Sequence, residues 1–198
     1  MSLDQIHPSK QTKQMIISEV GKTPEMLYFA NPAVLDADAC RSIILKCPKI
    51  FKNFNNSKPK SGREASDEEN GRLRSLRMKL LSVIVEPLVY AAIANQLKED
   101  PEYLYEFQQH EIPADFVNIA IEADPENVLA ELWDMGFDFK KEYCKIFSKD
   151  GLLIRYLPEE SPVEAYFNAV QQNELALFYV PDEHVYACIR KIENGRDD

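Results

Sequence analysis

Residues 161–181 read SPVEAYFNAVQQNELALFYVP, and the spacing inside this stretch decides the fold. Counted from Asn173, an aromatic stands seven residues before (Tyr166), an aliphatic three before (Val170) and another four after (Leu177). The first two are four apart, so they stack on one face of a helix that ends near Asn173; the third belongs to a second, shorter helix. The same three positions recur around Thr23, Cys47, Asp100, Asp124 and Asp150, the six anchors being separated by 24, 53, 24, 26 and 23 residues. Ile16, Cys40, Ile93, Val117, Tyr143 and Tyr166 fill the first column, and Val20, Ile44, Leu97, Ile121, Phe147 and Val170 the second. Leu27, Phe51, Leu104, Val128, Ile154 and Leu177 fill the third. All eighteen are apolar, where a chain 45% apolar would place about eight by chance.

Five of the six anchors are Thr, Asp or Asn, whose side-chain oxygens accept from the free amides of a helix start. Pro24, Pro48, Pro101 and Pro125 follow directly, at the position where a missing N–H costs nothing. Cys47 is expected to cap poorly. Each unit is predicted to be a helix of about ten residues, a capped turn, and a helix of two turns that often stops before a proline such as Pro32, Pro158 or Pro181. A pair this short buries too little alone, whereas several side by side share one core. The expected fold is all-α: tandem helix-turn-helix repeats forming a short α-solenoid, in one domain over 1–198.

Ala169, Val170, Asn173, Ala176, Leu177, Tyr179, Val180 and Pro181 resemble the signature of a family of short tandem helical repeats of unknown function. Its units carry Ala-Val, then Asn, then Ala-Leu, then Tyr-Val-Pro. The resemblance is best over residues 143–189; upstream, the apolar columns and the capped turn carry it. It implies the repeat fold, brings no assigned activity or catalytic residue, and connects the chain to bacteria, including ones living inside host cells, and to protists.

Six glycines against twelve prolines, without a P-loop or dinucleotide fingerprint, argue against a phosphate-cradling site. The start Met1-Ser2-Leu3-Asp4 is neither basic nor apolar, and no 18-residue apolar span follows, so a soluble protein without a signal peptide or membrane segment is expected. Cys40, Cys47, Cys144 and Cys188 show no close pairing, which reads as free thiols in a reducing compartment. That compartment is the cytoplasm, or a host cytosol if the source is an intracellular bacterium. His184 and Cys188 are four apart but lack further metal ligands, and His110 beside Glu111 lacks the Cys-x-x-Cys of a zinc deaminase. No nucleophile carries a local signature. No metal, cofactor or catalytic residue is expected.

The 53-residue step marks the one break in the repeat. Asn53, Asn55, Asn56, Ser57, Pro59, Ser61 and Gly62 predict a mobile polar insertion over 53–68, followed by an apolar helix through Leu73, Leu76, Leu80, Leu81, Ile84 and Val85 that Pro87 stops or kinks. Segment 52–79 holds eight basic and four acidic residues within a chain of net charge −10. From Glu99 to Phe139 there are twelve Asp and Glu and no Lys or Arg. This run is either a solvated, helix-capping surface or an attractor of a basic partner, and its sign disfavours direct nucleic-acid binding. Trp133, Phe137 and the neighbouring acids Glu131, Asp134 and Asp138 are the candidate partner-binding residues, with burial of both aromatics as the competing expectation. The expected function is a non-enzymatic protein-protein interaction module, an adaptor, inhibitor or host-directed effector, binding a basic partner through an acidic surface. The alternatives are an enzyme with a site assembled from separate repeats and an acidic nucleic-acid mimic.

Overall fold

The structure, a computed structural model, describes residues 2–55, 66–108, 111, 113–135, 146–157 and 161–194. Among these residues the chain is all-α, with α- and 3-10 helices and no strand. It divides into two compact units, Met1–Phe116 and Val117–Asp198.

Every anchor stops its helix in the same way. Thr23, Cys47, Asp100, Asp124, Asp150 and Asn173 have φ between −139° and −149° and ψ between 79° and 112°. Each N–H still donates to the carbonyl four residues back, at 2.8–3.2 Å. One extended residue thus closes one helix and, at five of the six anchors, opens the next, which is why the anchors share a spacing rather than a residue type; after Cys47 the chain turns through residues 48–51 before α3. Sixteen of the seventeen described column positions are buried, and Leu177 is half-buried. Tyr143 lies outside the described residues.

The second helix differs from expectation. Around Thr23, Asp100, Asp150 and Asn173 it is a six-residue 3-10 helix, over Pro24–Phe29, Pro101–Glu106, Gly151–Tyr156 and Glu174–Tyr179. With three residues per turn, positions four and seven after the anchor eclipse each other. Position seven is Ala30, Phe107, Leu157 or Val180, and its N–H closes the helix on the carbonyl of position four. An apolar residue at both positions therefore favours the tighter helix. The capping expectation is also corrected in part: Asp124, Asp150 and Asn173 accept from backbone amides, whereas Thr23 and Asp100 make no side-chain cap. Asp100 is drawn to Lys49 and Lys52 instead.

In the first unit, α1 (Lys13–Lys22) packs on α2 (Ala37–Lys46), and α2 on α4 (Asp67–Leu81) and α5 (Pro87–Glu99). The short α3 (Lys52–Asn55) contacts the 3-10 helices Pro24–Phe29 and Pro101–Glu106. Buried Gln11 ties down the first residues: its Nε2 donates to the carbonyls of Ile6 and Phe29 at 3.3 and 2.9 Å, and its Oε1 accepts from Asn31 N–H at 2.8 Å. Tyr103 is fully buried, and its hydroxyl donates to the Pro48 carbonyl and accepts from Phe51 N–H at 3.3 Å. It replaces a rung of the turn after Cys47, the one anchor without a polar side chain.

Of the segment expected as an insertion over 53–68, residues 56–65 lie outside the described residues. Residues 53–55 belong to α3, and Ser66 caps α4 through a reciprocal box with Glu69. The apolar helix ends at Leu81, with Leu76 and Leu80 buried, and Pro87 occupies the first position of α5 rather than kinking a continuous helix.

α6 (Ala114–Ala123) spans the division between the units. The second unit continues with α7 (Pro125–Asp134), α8 (Val163–Gln172) and α9 (Asp182–Asn194). α8 packs against the two described 3-10 helices of this unit and against α9. Gly151 approaches the end of α8 so closely that an added Cβ would lie 2.2 Å from the Ala169 carbonyl oxygen. Its N–H donates to Gln172 Oε1 at 2.7 Å, and Gln172 Nε2 donates to the Lys149 carbonyl at 3.1 Å.

Candidate functional site

The basic residues described in segment 52–79 are largely committed to the fold of the first unit. Arg77 grips Glu111 with two nitrogens, Nε to Oε1 at 2.9 Å and Nη2 to Oε2 at 2.5 Å, and Nη2 also donates to the Glu106 carbonyl at 2.7 Å. Its guanidinium lies 5.8 and 5.6 Å from the ring centroids of Phe51 and Phe54. A planar, forked, weakly hydrated cation suits this position, where it is stacked and doubly bonded at once. Arg72 donates to the Tyr28 carbonyl at 3.0 Å and Lys79 to the Leu35 carbonyl at 2.7 Å. Lys52 Nζ lies 2.8 Å from Asp100 Oδ2, with Lys49 at 3.5 Å. Burial works against the charged form of Asp100, but the hydrogen bond from Lys52 and the charges of both lysines outweigh it and hold the carboxyl below its ordinary range.

The acidic run is therefore not one exposed face, as a nucleic-acid mimic would require. Asp100 and Glu111 are turned to the chain's own cations, and Asp124 caps α7. In the second unit the run reaches solvent at Glu122, which lies 3.6 Å from Lys149, and along the outer side of α7. Val128, Leu129 and Leu132 fill its inner face, so Glu126, Ala130 and Asp134, one turn apart, and Asn127 and Glu131 beside them, all point outward and are exposed. Glu126, Glu131 and Asp134 form no ion pair among the described residues. Met135, 48% exposed, follows at the C-terminal end.

Of the candidate partner-binding residues, Glu131 and Asp134 lie on this exposed face. Trp133 is half-buried at its edge, between the core and the solvent. Phe137 and Asp138 lie outside the described residues. Glu126 joins the face because it stands eight residues before Asp134 on one helix, a spacing visible in the sequence once the helix start at Asp124 is accepted.

A cavity of about 370 Å³ opens in the same unit. Ile121, Pro125, Ile146 and Leu153 supply its apolar wall, and Glu122, Lys149, Asp150 and Arg155 its charges. Lys149 lies 3.6 Å from Glu122, and Asp150 accepts from Leu152 N–H at 3.0 Å.

The described thiols sit in or beside the core. Cys40 and Cys188 are buried and Cys47 is half-buried, and burial raises all three above the ordinary thiol value, away from the reactive thiolate. His184 stacks on Tyr166 at 5.7 Å and lies 3.5 Å from Glu183. Among the described residues no group of three or more His, Cys, Asp or Glu is placed to hold a metal ion, and no helix is long and apolar enough to cross a membrane. His110 and Cys144 lie outside the described residues.

The fold and site define an all-α protein of repeated helix, extended residue and short helix, with an acidic helical face in its C-terminal unit. No protein-family model matches the chain, and neither a curated protein nor a solved structure matches it.

Proposed function

We propose that the chain is a non-enzymatic protein-protein interaction module, an adaptor, inhibitor or host-directed effector of the cytoplasm or a host cytosol. Its repeats stack as a short α-solenoid, in keeping with the resemblance carried by Ala169–Pro181. It binds a basic protein through the outer side of α7, with Glu126, Glu131 and Asp134 steering the partner and Trp133 supplying apolar contact. The observation that supports this reading is the contrast between the two sets of acids. Asp100 and Glu111 are engaged by the chain's own cations, while the three acids of α7 stand exposed beside a half-buried tryptophan. Exposed like charges raise association rates with a complementary surface and lose that effect as salt rises.

The test is the triple substitution Glu126→Lys, Glu131→Lys, Asp134→Lys. In a protein whose circular dichroism matches wild type, capture of the basic partner at low salt should slow by about tenfold or more, and wild-type capture should weaken with added salt. Unchanged capture by the folded variant would remove α7 from the reading. The cavity supports a second reading, an enzyme whose groups come from separate repeats, since two carboxylates, an amine and a guanidinium line it. An activity abolished by Lys149→Met and retained by the α7 variant would favour it.

A further inference from the structure

The cavity of the second unit stands at a joint between repeats that does not close. Between Asp150 and Asn173 the joint is shut: Gly151, one after its anchor, lies against the Ala169 carbonyl, while Gln172, one before the next anchor, accepts from Gly151 N–H and donates to the Lys149 carbonyl. Between Asp124 and Asp150 the corresponding residues are Pro125 and Lys149. Proline has no N–H to donate, and its ring takes the space that glycine leaves free. Lys149 has no acceptor with which to copy Gln172, and it turns to Glu122 at 3.6 Å. Both residues line the cavity of about 370 Å³, a volume within the range of about 300–1,000 Å³ common to ligand clefts.

The lining indicates what fits. Glu122 and Lys149 are each other's partners, which leaves Asp150 and Arg155, one acid and one base, without an ion pair among the described residues. Asp150 accepts from Leu152 N–H through Oδ1 alone, so its second oxygen remains for a cation. Arg155 donates one N–H to the Tyr156 hydroxyl at 2.7 Å and keeps others for an anion. A lone cation would leave Arg155 unanswered, and a lone anion Asp150. A ligand with both charges answers both.

The spacing sets its length. Asp150 caps the 3-10 helix Gly151–Tyr156 and Arg155 is the fifth residue of that helix, so at about 2 Å per residue their backbones stand about 10 Å apart along its axis. Arg155 lies 4.6 Å from the centroid of the Tyr156 ring, which holds the guanidinium toward the far end from Asp150. A free amino acid carries both charges on one carbon and cannot reach across, whereas three extended residues span about 10 Å. Ile121, Pro125, Ile146 and Leu153 offer an apolar wall to a side chain between the two charges. Asn118, also in the lining, carries a buried Oδ1 without a hydrogen-bond partner, an acceptor that suits a peptide N–H and not a hydrocarbon chain.

We infer that this cavity binds a peptide of about three residues with free termini, its ammonium at Asp150, its carboxylate at Arg155 and an apolar side chain against Ile121, Ile146 and Leu153. The inference concerns binding alone, and it stands whether or not α7 binds a basic protein or the cavity performs a reaction.

Titration of the full chain with the tripeptide Ala-Leu-Ala, followed by amide chemical shifts, should move resonances of residues 146–155 with a Kd of about 0.1–1 mM. The N-acetylated and the C-amidated forms of the peptide each lack one charge, and each should bind wild type at least about tenfold more weakly. Two variants then assign the charges. Asp150→Asn, which keeps a capping side chain, should bind Ala-Leu-Ala about tenfold more weakly, cease to distinguish it from the N-acetyl form and still prefer it to the amide. Arg155→Gln should show the reverse preference. This crossed pattern cannot come from a general loss of structure. Absence of shifts with Ala-Leu-Ala up to about 10 mM would overturn the inference, as would wild type that binds the capped peptides equally well, shifts confined to other residues, or variants that weaken free and capped peptides alike.

Discussion

The Tyr103 hydroxyl occupies the place that a backbone acceptor would take after Cys47. Donating to the Pro48 carbonyl and accepting from Phe51 N–H, it satisfies one part-buried and one buried group that a cysteine anchor leaves to their surroundings. Burial pushes the phenol far above its ordinary value, so it stays protonated and keeps both roles. Tyr103→Phe preserves the ring contact with Phe107 at 5.4 Å and removes only the hydroxyl, leaving a buried donor and a part-buried acceptor unpaired. That should lower stability by about 1–3 kcal/mol, read as a lower urea midpoint with an unchanged slope. In the sequence Cys47 shows only as a weak anchor. Its remedy stands 56 residues downstream, and side-chain partners at that separation leave no periodic trace.

At the scale of the element, the apolar columns were legible because burial follows helical period directly: Ile16, Ile93, Tyr166 and their equivalents sit where a four-residue spacing puts them. The type of the second helix was less so. Its signal was a period of three, carried by Leu27 with Ala30, Leu104 with Phe107 and Ile154 with Leu157, too short to stand out against a two-turn α-helix. Proline follows the anchor at Thr23, Cys47, Asp100 and Asp124, but glycine follows Asp150, and only the packed α8 shows why. Gly151→Ala would force its Cβ onto the Ala169 carbonyl and should cost about 1–3 kcal/mol. Gly71 is the control: it lies in α4 with nothing within 4 Å of an added Cβ. Gly71→Ala should instead gain about 0.5–1 kcal/mol from helix propensity. Thermal melts of the pair should move in opposite directions.

Across the whole molecule, net charge conceals how charge is used. The acidic run from Glu99 to Phe139 is uniform in the sequence, but folding sorts it by partners far away in the chain. Arg77 reaches Glu111 and Lys52 reaches Asp100, while Glu126, Glu131 and Asp134 stay in water. Composition identified both charged segments; which acids were spent internally depended on contacts across 34 and 48 residues, beyond any local pattern. The candidate site was legible to that same extent, in Glu131, Trp133 and Asp134 on one helix. The sorting has a pH signature. Asp36, held by a hydrogen bond from Lys13, and Asp100, held by Lys52 against the effect of burial, both have carboxyls below their ordinary value in the folded chain. A depressed folded value means that the unfolded chain takes up protons first. The stabilisation is thus complete above the unfolded value of about 3.9 and is lost as pH falls through the folded one. Asp100→Asn should accordingly be less stable than wild type at neutral pH. It should lose less on acidification, so that urea midpoints of the two proteins converge toward pH 3 and below. Parallel curves over that range would show that the Asp100 carboxylate contributes nothing through its charge, and that Lys49 and Lys52 hold no more than a solvated surface pair.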